Sequence, residues 1–210
     1  MKIIAHRGYW RENREKNTQA AFVRALEGGY GIETDFRDLA GELVVSHDPP
    51  QPGVMTARAF FDLVSRYPHA GVIAANIKAD GLQVLLTEAA AGLPVDRLFV
   101  FDMSVPDTLR HFQQSWPVFV RVSEYETPGA ALLSRAQGVW FDGFQGEWFN
   151  QHTLAGYRSL GLKVCIVSPE LHGRLYRPFW AALKDWGLHA DAAIHLCTDY
   201  PDEAKAFFHD

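Results

Sequence analysis

Cysteine is nearly absent: Cys165 and Cys197 are the only two in 210 residues. Each sits in an apolar run (KVCIV, AIHLC), which excludes a disulfide scaffold and predicts two buried free thiols. Long apolar runs are missing as well. The start, MKIIAHRG, passes quickly into charge, short of the roughly 7–15 apolar residues of a signal-peptide core, and nothing later approaches the ~20 needed to cross a membrane. These absences predict a reducing, cytoplasmic setting with no stable membrane insertion. No basic block occurs. Twenty Lys and Arg against twenty-five Asp and Glu give a formal charge of −5, which excludes a general nucleic-acid surface, so a bound anion must meet local positive charge. No Ser/Gly-rich linker interrupts the chain, and residues 1–210 read as one domain with apolar content, 48%, near the globular average.

What is present is a regular alternation. Short β-rich runs occur at 2–6, 31–35, 71–77, 97–102, 118–122, 138–142, 163–167 and 192–199. Helical stretches lie between and after them, at 18–28, 56–67, 81–92, 105–114, 129–136, 151–160, 173–186 and 201–208. Eight βα units predict an α/β protein, a compact (β/α)8 TIM-type barrel with short loops. One further run, ELVVSH (42–47), follows Asp35 too closely for a crossover helix and must return antiparallel, as a β-hairpin extension after the second strand.

Polar residues gather where the strands end, the position that carries chemistry in such barrels. The first strand ends in His6-Arg7-Gly8, the second in Glu33-Thr34-Asp35, the third in Asn76-Ile77-Lys78, and later ones in Asp102, Asp142 and Thr198-Asp199. Glu33 and Asp35, two apart on a strand, leave the same face. The pair reads either as a hard-oxygen site for one divalent cation, Mg²⁺ or Ca²⁺, or as rim carboxylates ion-paired to Arg7 or Arg37. If Leu39-Ala40-Gly41 forms a three-residue loop, Glu33 faces His47 across the hairpin, which brings His47 to the same mouth as His6. Two imidazoles beside a cation, with Arg7 and Lys78 as further positive charge, outline a phosphodiester site: one imidazole takes a proton and the other gives one.

His6-Arg7-Gly8, Asn17-Thr18, Glu33-x-Asp35, the short Gly turn and His47-Asp48 resemble the glycerophosphodiester phosphodiesterase family of the phospholipase C-like phosphodiesterase barrels. The resemblance is tight over residues 3–50 and looser beyond, where Lys78 and Thr198-Asp199-Tyr200-Pro201 fall at later signposts. It implies a TIM-type barrel, a divalent cation, His6 and His47 as the acid/base pair, and hydrolysis of a glycerophosphodiester or related small phospholipid-derived diester. Glu33, Asp35 and Asn76 would hold the metal, and Arg7 and Lys78 the phosphate. The chain departs from the family in three places. Asn76 stands where the family has an acidic ligand, Lys16 stands where it has Glu before Asn-Thr, and only DPPQPGV (48–54) replaces the long insertion that usually follows His-Asp. Asp102 or Glu124 would be the substitute carboxylate for the metal; Asn17 or Thr18 is expected to cap the first helix. Trp140 and Phe144 are expected mainly to pack, while His172 and Glu170 fall in a loop on the active side. The alternative is a barrel that binds phosphorylated ligands with weakened or lost hydrolysis, because Asn76 has removed a charge from the metal site.

Overall fold

The structure is a computed structural model that describes residues 1–209. Eight parallel strands form most of one sheet: β1 (Lys2–His6), β2 (Gly31–Leu39), β4 (Ile73–Ile77), β5 (Leu98–Phe101), β6 (Phe119–Val122), β7 (Gly138–Phe141), β8 (Lys163–Val167) and β9 (Ile194–Thr198). β3 (Glu42–Val45) pairs antiparallel with β2 as the hairpin extension. The helices are α1 (Gln19–Glu27), α2 (Ala57–Ser65), α3 (Gln83–Ala89), α4 (Val105–His111), α5 (Ala130–Leu133), α6 (Gln151–Ser159), α7 (Arg177–Asp185) and α8 (Pro201–His209). The order β5-β4-β2-β1-β9-β8-β7-β6 is that of a (β/α)8 barrel. The seam between β5 and β6 is a single bridge, Val100 to Val118, with the Val100 N–H bonding the Pro117 carbonyl at 2.9 Å. Pro117 has no N–H to return, so the barrel is nearly closed there rather than fully laddered.

Strand alternation explains the two hydrophobic layers. Ile3, Ala5, Ile32, Ile73, Val100 and Val164 belong to the large cluster that includes residues of the helices. Ile4, Ala74, Phe99, Phe101, Phe119, Trp140, Cys165, Val167 and Cys197 form a second cluster from the opposite faces, filling the barrel interior. Phe99 stacks on Phe119 at 3.9 Å and Phe101 on Trp140 at 3.8 Å between ring centroids. Such pairs add about 0.5–1.5 kcal/mol beyond their burial. Two residues further along the same inward faces stand His6, Asn76, Arg121, Asp142 and Asp199, so one alternation plugs the barrel and then lines its mouth. Cys165 and Cys197 are free and buried, as expected.

Several expected elements are shorter. The 173–186 stretch is helical only over Arg177–Asp185; ahead of it Pro169–His172 is a 3₁₀ turn ended by Gly173, whose φ of 71° stops a right-handed helix. The 129–136 stretch keeps a single turn, Ala130–Leu133. The hairpin also differs. Leu39 pairs with Glu42 and Phe36 with Val45, leaving a two-residue loop of Ala40 (φ 51°) and Gly41 (φ 85°), both left-handed as a type I′ turn demands.

Candidate active site

A cavity of about 300 Å³ opens at the C-terminal ends of the strands, bounded by His6, Arg7, Glu33, His47, Asn76 and Lys78 on one side. These are the seven residues expected at the site except Asp35, which lies directly behind as the common partner of Arg7 and Lys78. Glu33 is level with His6 on the neighbouring strand, and Asp35 with Asn76, so strand register alone collects the group. Gly8 makes the first turn possible: with φ 83°, a Cβ there would meet Ala21 at 2.9 Å.

His6 is held by Asp199. Its Nδ1–H donates to Asp199 Oδ1 at 2.7 Å, leaving Nε2 free of that bond and 3.9 Å from Glu33 Oε2. Glu33, almost fully buried, accepts from the Arg7 backbone N–H at 3.2 Å and from Asn76 Nδ2 at 3.2 Å. Burial pushes its carboxyl above the usual range, and the Asp35 charge adds to this. Asp35 accepts from Asn17 Nδ2 at 2.9 Å, and Arg7 Nε lies 3.3 Å from the same oxygen. Lys78 Nζ stands 3.5 Å from Asp35 Oδ1 and 3.5 Å from Asp102, which also pairs with Arg121. Four non-glycine residues among those described have left-handed φ, and three of them, Arg7, Asn17 and Asp102, belong to this network. Backbone strain of that kind concentrates at functional sites.

His47 reaches the cavity by a different route from the hairpin register expected. The observed ladder is one residue out of step with it, which would turn His47 away if β3 continued. It stops at Val45; the Ser46 N–H bonds the Asp35 carbonyl and Arg37 Nε bonds the His47 carbonyl at 3.0 Å, so the chain bends toward the mouth. The His47 ring, more exposed than His6, donates from Nδ1 to Asp48 at 2.9 Å. Arg37 is thereby committed to the hairpin, and the guanidinium that pairs with Asp35 belongs to Arg7.

Asp35 Oδ1 and Asn76 Oδ1 are both buried and lack a hydrogen-bond donor. Lys78 is near the first, but 3.5 Å is long for a good hydrogen bond. Two orphaned hard oxygens beside Glu33 fit a Mg²⁺ or Ca²⁺ ion. Among the described residues, no three His, Cys, Asp or Glu side chains gather as a metal-binding cluster, so such a shell relies on the Asn76 amide. The two substitutes considered for it are engaged elsewhere. Asp102 serves Lys78 and Arg121, and Glu124 accepts from the backbone N–H groups of Phe144 and Gln145 at 3.2 and 2.7 Å.

Sequence reasoning missed four partners. Thr18 alone caps α1, accepting from the Ala21 N–H, which frees Asn17 for Asp35 and for Thr34, whose hydroxyl donates to Asn17 Oδ1 at 2.9 Å. Asp199 is visible in the sequence as a polar strand end and within the Thr198–Pro201 signpost, without its bond to His6, and Arg121 only as a strand residue. The fourth is a second histidine–carboxylate pair on the far wall: His172 Nε2–H donates to Asp142 at 2.7 Å. Beside it Trp140 packs on Phe101, as expected, while Phe144 is half-buried and faces the cavity. Glu170 accepts from Ser168, Thr198 and the Asp199 N–H, and so braces the loop that carries Asp199.

A scan of protein-family profiles matches none, and a search of curated proteins finds no match. Solved structures do match along the whole chain. A glycerophosphodiester phosphodiesterase from Parabacteroides distasonis aligns over 99% of this chain and 96% of its own, with a TM-score of 0.73 and 18% identity. A candidate glycerophosphodiester phosphodiesterase from Galdieria sulphuraria aligns over 100% and 98%, with a TM-score of 0.76 and 17% identity. One from Agrobacterium tumefaciens aligns over 98% and 99%, at 0.65 and 19%. The chain has the fold of these phosphodiesterase barrels. Coverage near the full length on both sides means that the short 48–54 loop is accommodated without loss of any barrel unit. At such identities the likeness speaks for the fold, and the chemistry has to be argued from the site.

Proposed function

We propose that the protein is a phosphoric diester hydrolase acting on a small-molecule phosphodiester, most plainly a glycerophosphodiester or related phospholipid-derived diester. The observation that carries this reading is His6, fixed through Nδ1 by Asp199 with Nε2 left for the substrate, beside two buried acids and the cations of Arg7 and Lys78. His6 Nε2 accepts the proton of the attacking water as its oxygen bonds to phosphorus. The bond from phosphorus to the leaving oxygen breaks, and His47, protonated, gives that oxygen its proton. Arg7 and Lys78 hold the phosphoryl oxygens as their charge grows. Glu33, Asp35 and Asn76 would hold a divalent cation. When bound, it supplies Lewis-acid stabilisation of the phosphoryl group.

A second reading, a barrel that binds phosphorylated ligands without cleaving them, draws on Asn76 and on the neutralisation of Asp35 by Arg7 and Lys78. One assay separates the two. Purified protein is given bis(p-nitrophenyl) phosphate or a glycerophosphodiester with Mg²⁺, Ca²⁺ or chelator. Cation-dependent release of alcohol supports the hydrolase; a folded protein that binds inorganic phosphate but releases no alcohol supports the second reading.

No helix among the described residues is long and apolar enough to cross a membrane.

A further inference from the structure

The end of the barrel opposite the mouth holds a second cavity, of about 500 Å³, within the size range of small-molecule sites. It lies where strands begin. Lys2 opens β1, His69 precedes β4, Asp96 and Arg97 precede β5, and Lys205 and His209, four residues apart, share one face of α8. That end of a βα barrel ordinarily serves stability, and none of the residues assigned to the proposed reaction lines it.

The charge there is one-sided. The chain has twenty-five Asp and Glu for twenty Lys and Arg, yet this cavity sets three Lys and Arg and two His against Asp96 alone. None of those five basic groups joins an ion pair among the described residues, whereas Arg7, Arg24 and Arg158 each do. Asp202, three residues before Lys205, is taken up by the hydroxyls of Tyr9 and Tyr30. Arg97 donates to the Pro68 and Tyr67 carbonyls at 2.9 and 3.3 Å, and its Nε is buried with no partner, so the guanidinium is fixed in place with no carboxylate on it. The excess reaches into the barrel: His195, level with Lys2 in the β1–β9 register, is held below its ordinary pKa by burial and then by the charges of Lys2 and Lys163.

A cavity lined by donors suits a ligand rich in acceptor oxygens. The Arg97 fork that would take a carboxylate in two parallel bonds is already spent on carbonyls, which leaves ammonium groups that act as point charges and can surround a tetrahedral oxyanion. We propose that the N-terminal end of the barrel is a second binding site, for a small phosphorylated ligand carrying two or more negative charges, held by Lys2, Lys205, His69 and His209 with Arg97 supplying fixed charge. The site goes beyond the hydrolase reading and does not depend on it.

Calorimetric titration of pyrophosphate in the absence of divalent cations tests it, with the double variant Lys2→Gln/Lys205→Gln, Lys163→Gln and Lys78→Gln each checked for folding by circular dichroism. Lys78→Gln removes a cation from the mouth, and Lys163→Gln removes one that is outside the cavity but still felt by His195. Wild type and both single variants are expected to keep one equivalent of pyrophosphate that the double variant binds about tenfold or more weaker, the effect of losing two charge-assisted hydrogen bonds. Diester hydrolysis by the double variant should match wild type, and the binding result stands whether or not a diester is cleaved. Succinate, a dicarboxylate, should bind the same site about tenfold weaker than pyrophosphate. Loss of the equivalent in Lys78→Gln with its retention in the double variant places it at the mouth and overturns the proposal. Equal weakening by Lys163→Gln, or no pyrophosphate bound by wild type, overturns it as well. Succinate bound as tightly as pyrophosphate overturns the choice of phosphate.

Discussion

His6 and Asp199 meet at 2.7 Å across the junction of the first and last strands of the barrel, 193 residues apart in sequence. The bond selects the Nδ1–H tautomer of His6, and Glu170 in turn braces the Asp199 backbone. Asp199→Asn should retain the ring's place but lose the anion that stabilises an imidazolium, lowering kcat by about 10² or more while KM changes little. Steady-state kinetics with a pH profile checks this: the acidic limb of kcat/KM, which a general base at His6 sets, should move in the variant. An unchanged profile would mean that Asp199 only stabilises the loop.

The orphaned oxygens Asp35 Oδ1 and Asn76 Oδ1 make a prediction about cations. Chelation should abolish turnover, and Mg²⁺ or Ca²⁺ should restore it. Asn76→Glu should tighten cation affinity by restoring a charged third ligand, and should destabilise the cation-free protein, because Glu33 and Asp35 already crowd their charges in a buried site. Thermal melting with and without cation reads both effects in one experiment.

His195 gives the stability a pH dependence. It is buried within the barrel beside Phe99 and Phe119, at 6.2 and 6.4 Å between ring centroids, and burial, with Lys2 and Lys163 nearby, pushes its pKa down to about 3. In the unfolded chain the ring takes a proton near pH 6.5. The folded state is therefore favoured fully above that value and loses stability as pH falls toward about 3, by up to about 1.4 kcal/mol per pH unit. Urea midpoints at pH 7 and pH 5 should differ in wild type, and the difference should shrink in His195→Phe.

The hairpin turn is tight but carries the wrong residue. Ala40 holds φ 51°, a conformation that costs an alanine roughly 1–2 kcal/mol. Ala40→Gly or Ala40→Asn should raise stability by about 0.5–1 kcal/mol, read as a shift in the urea midpoint at constant m-value. Loss of stability would show that the turn is not type I′.

The period-two alternation carried the fold and much of the site. It placed Glu33 and Asp35 on one inward face, and the register with β1 and β4 then brought His6 and Asn76 level with them. What was not legible depended on contacts between distant segments. Nothing local tells that Thr18 caps α1 and frees Asn17, since both are good cap residues. The pairing of His172 with Asp142 needs two loop ends to converge, and the role of Arg121 needs Asp102 and Lys78 beside it. The hairpin register is hidden in the sequence because Ala40 is an uncommon residue for a left-handed position, so the turn lacks the usual Asn-Gly or Asp-Gly signature.

The most direct measurement is the initial rate of glycerophosphodiester hydrolysis by folded wild type and folded His6→Ala at saturating Mg²⁺ or Ca²⁺. The account predicts cation-dependent turnover in wild type and a rate lower by about 10²–10⁴ in the variant. Equal rates in the two proteins, or no turnover by a wild type shown to be folded, would contradict it.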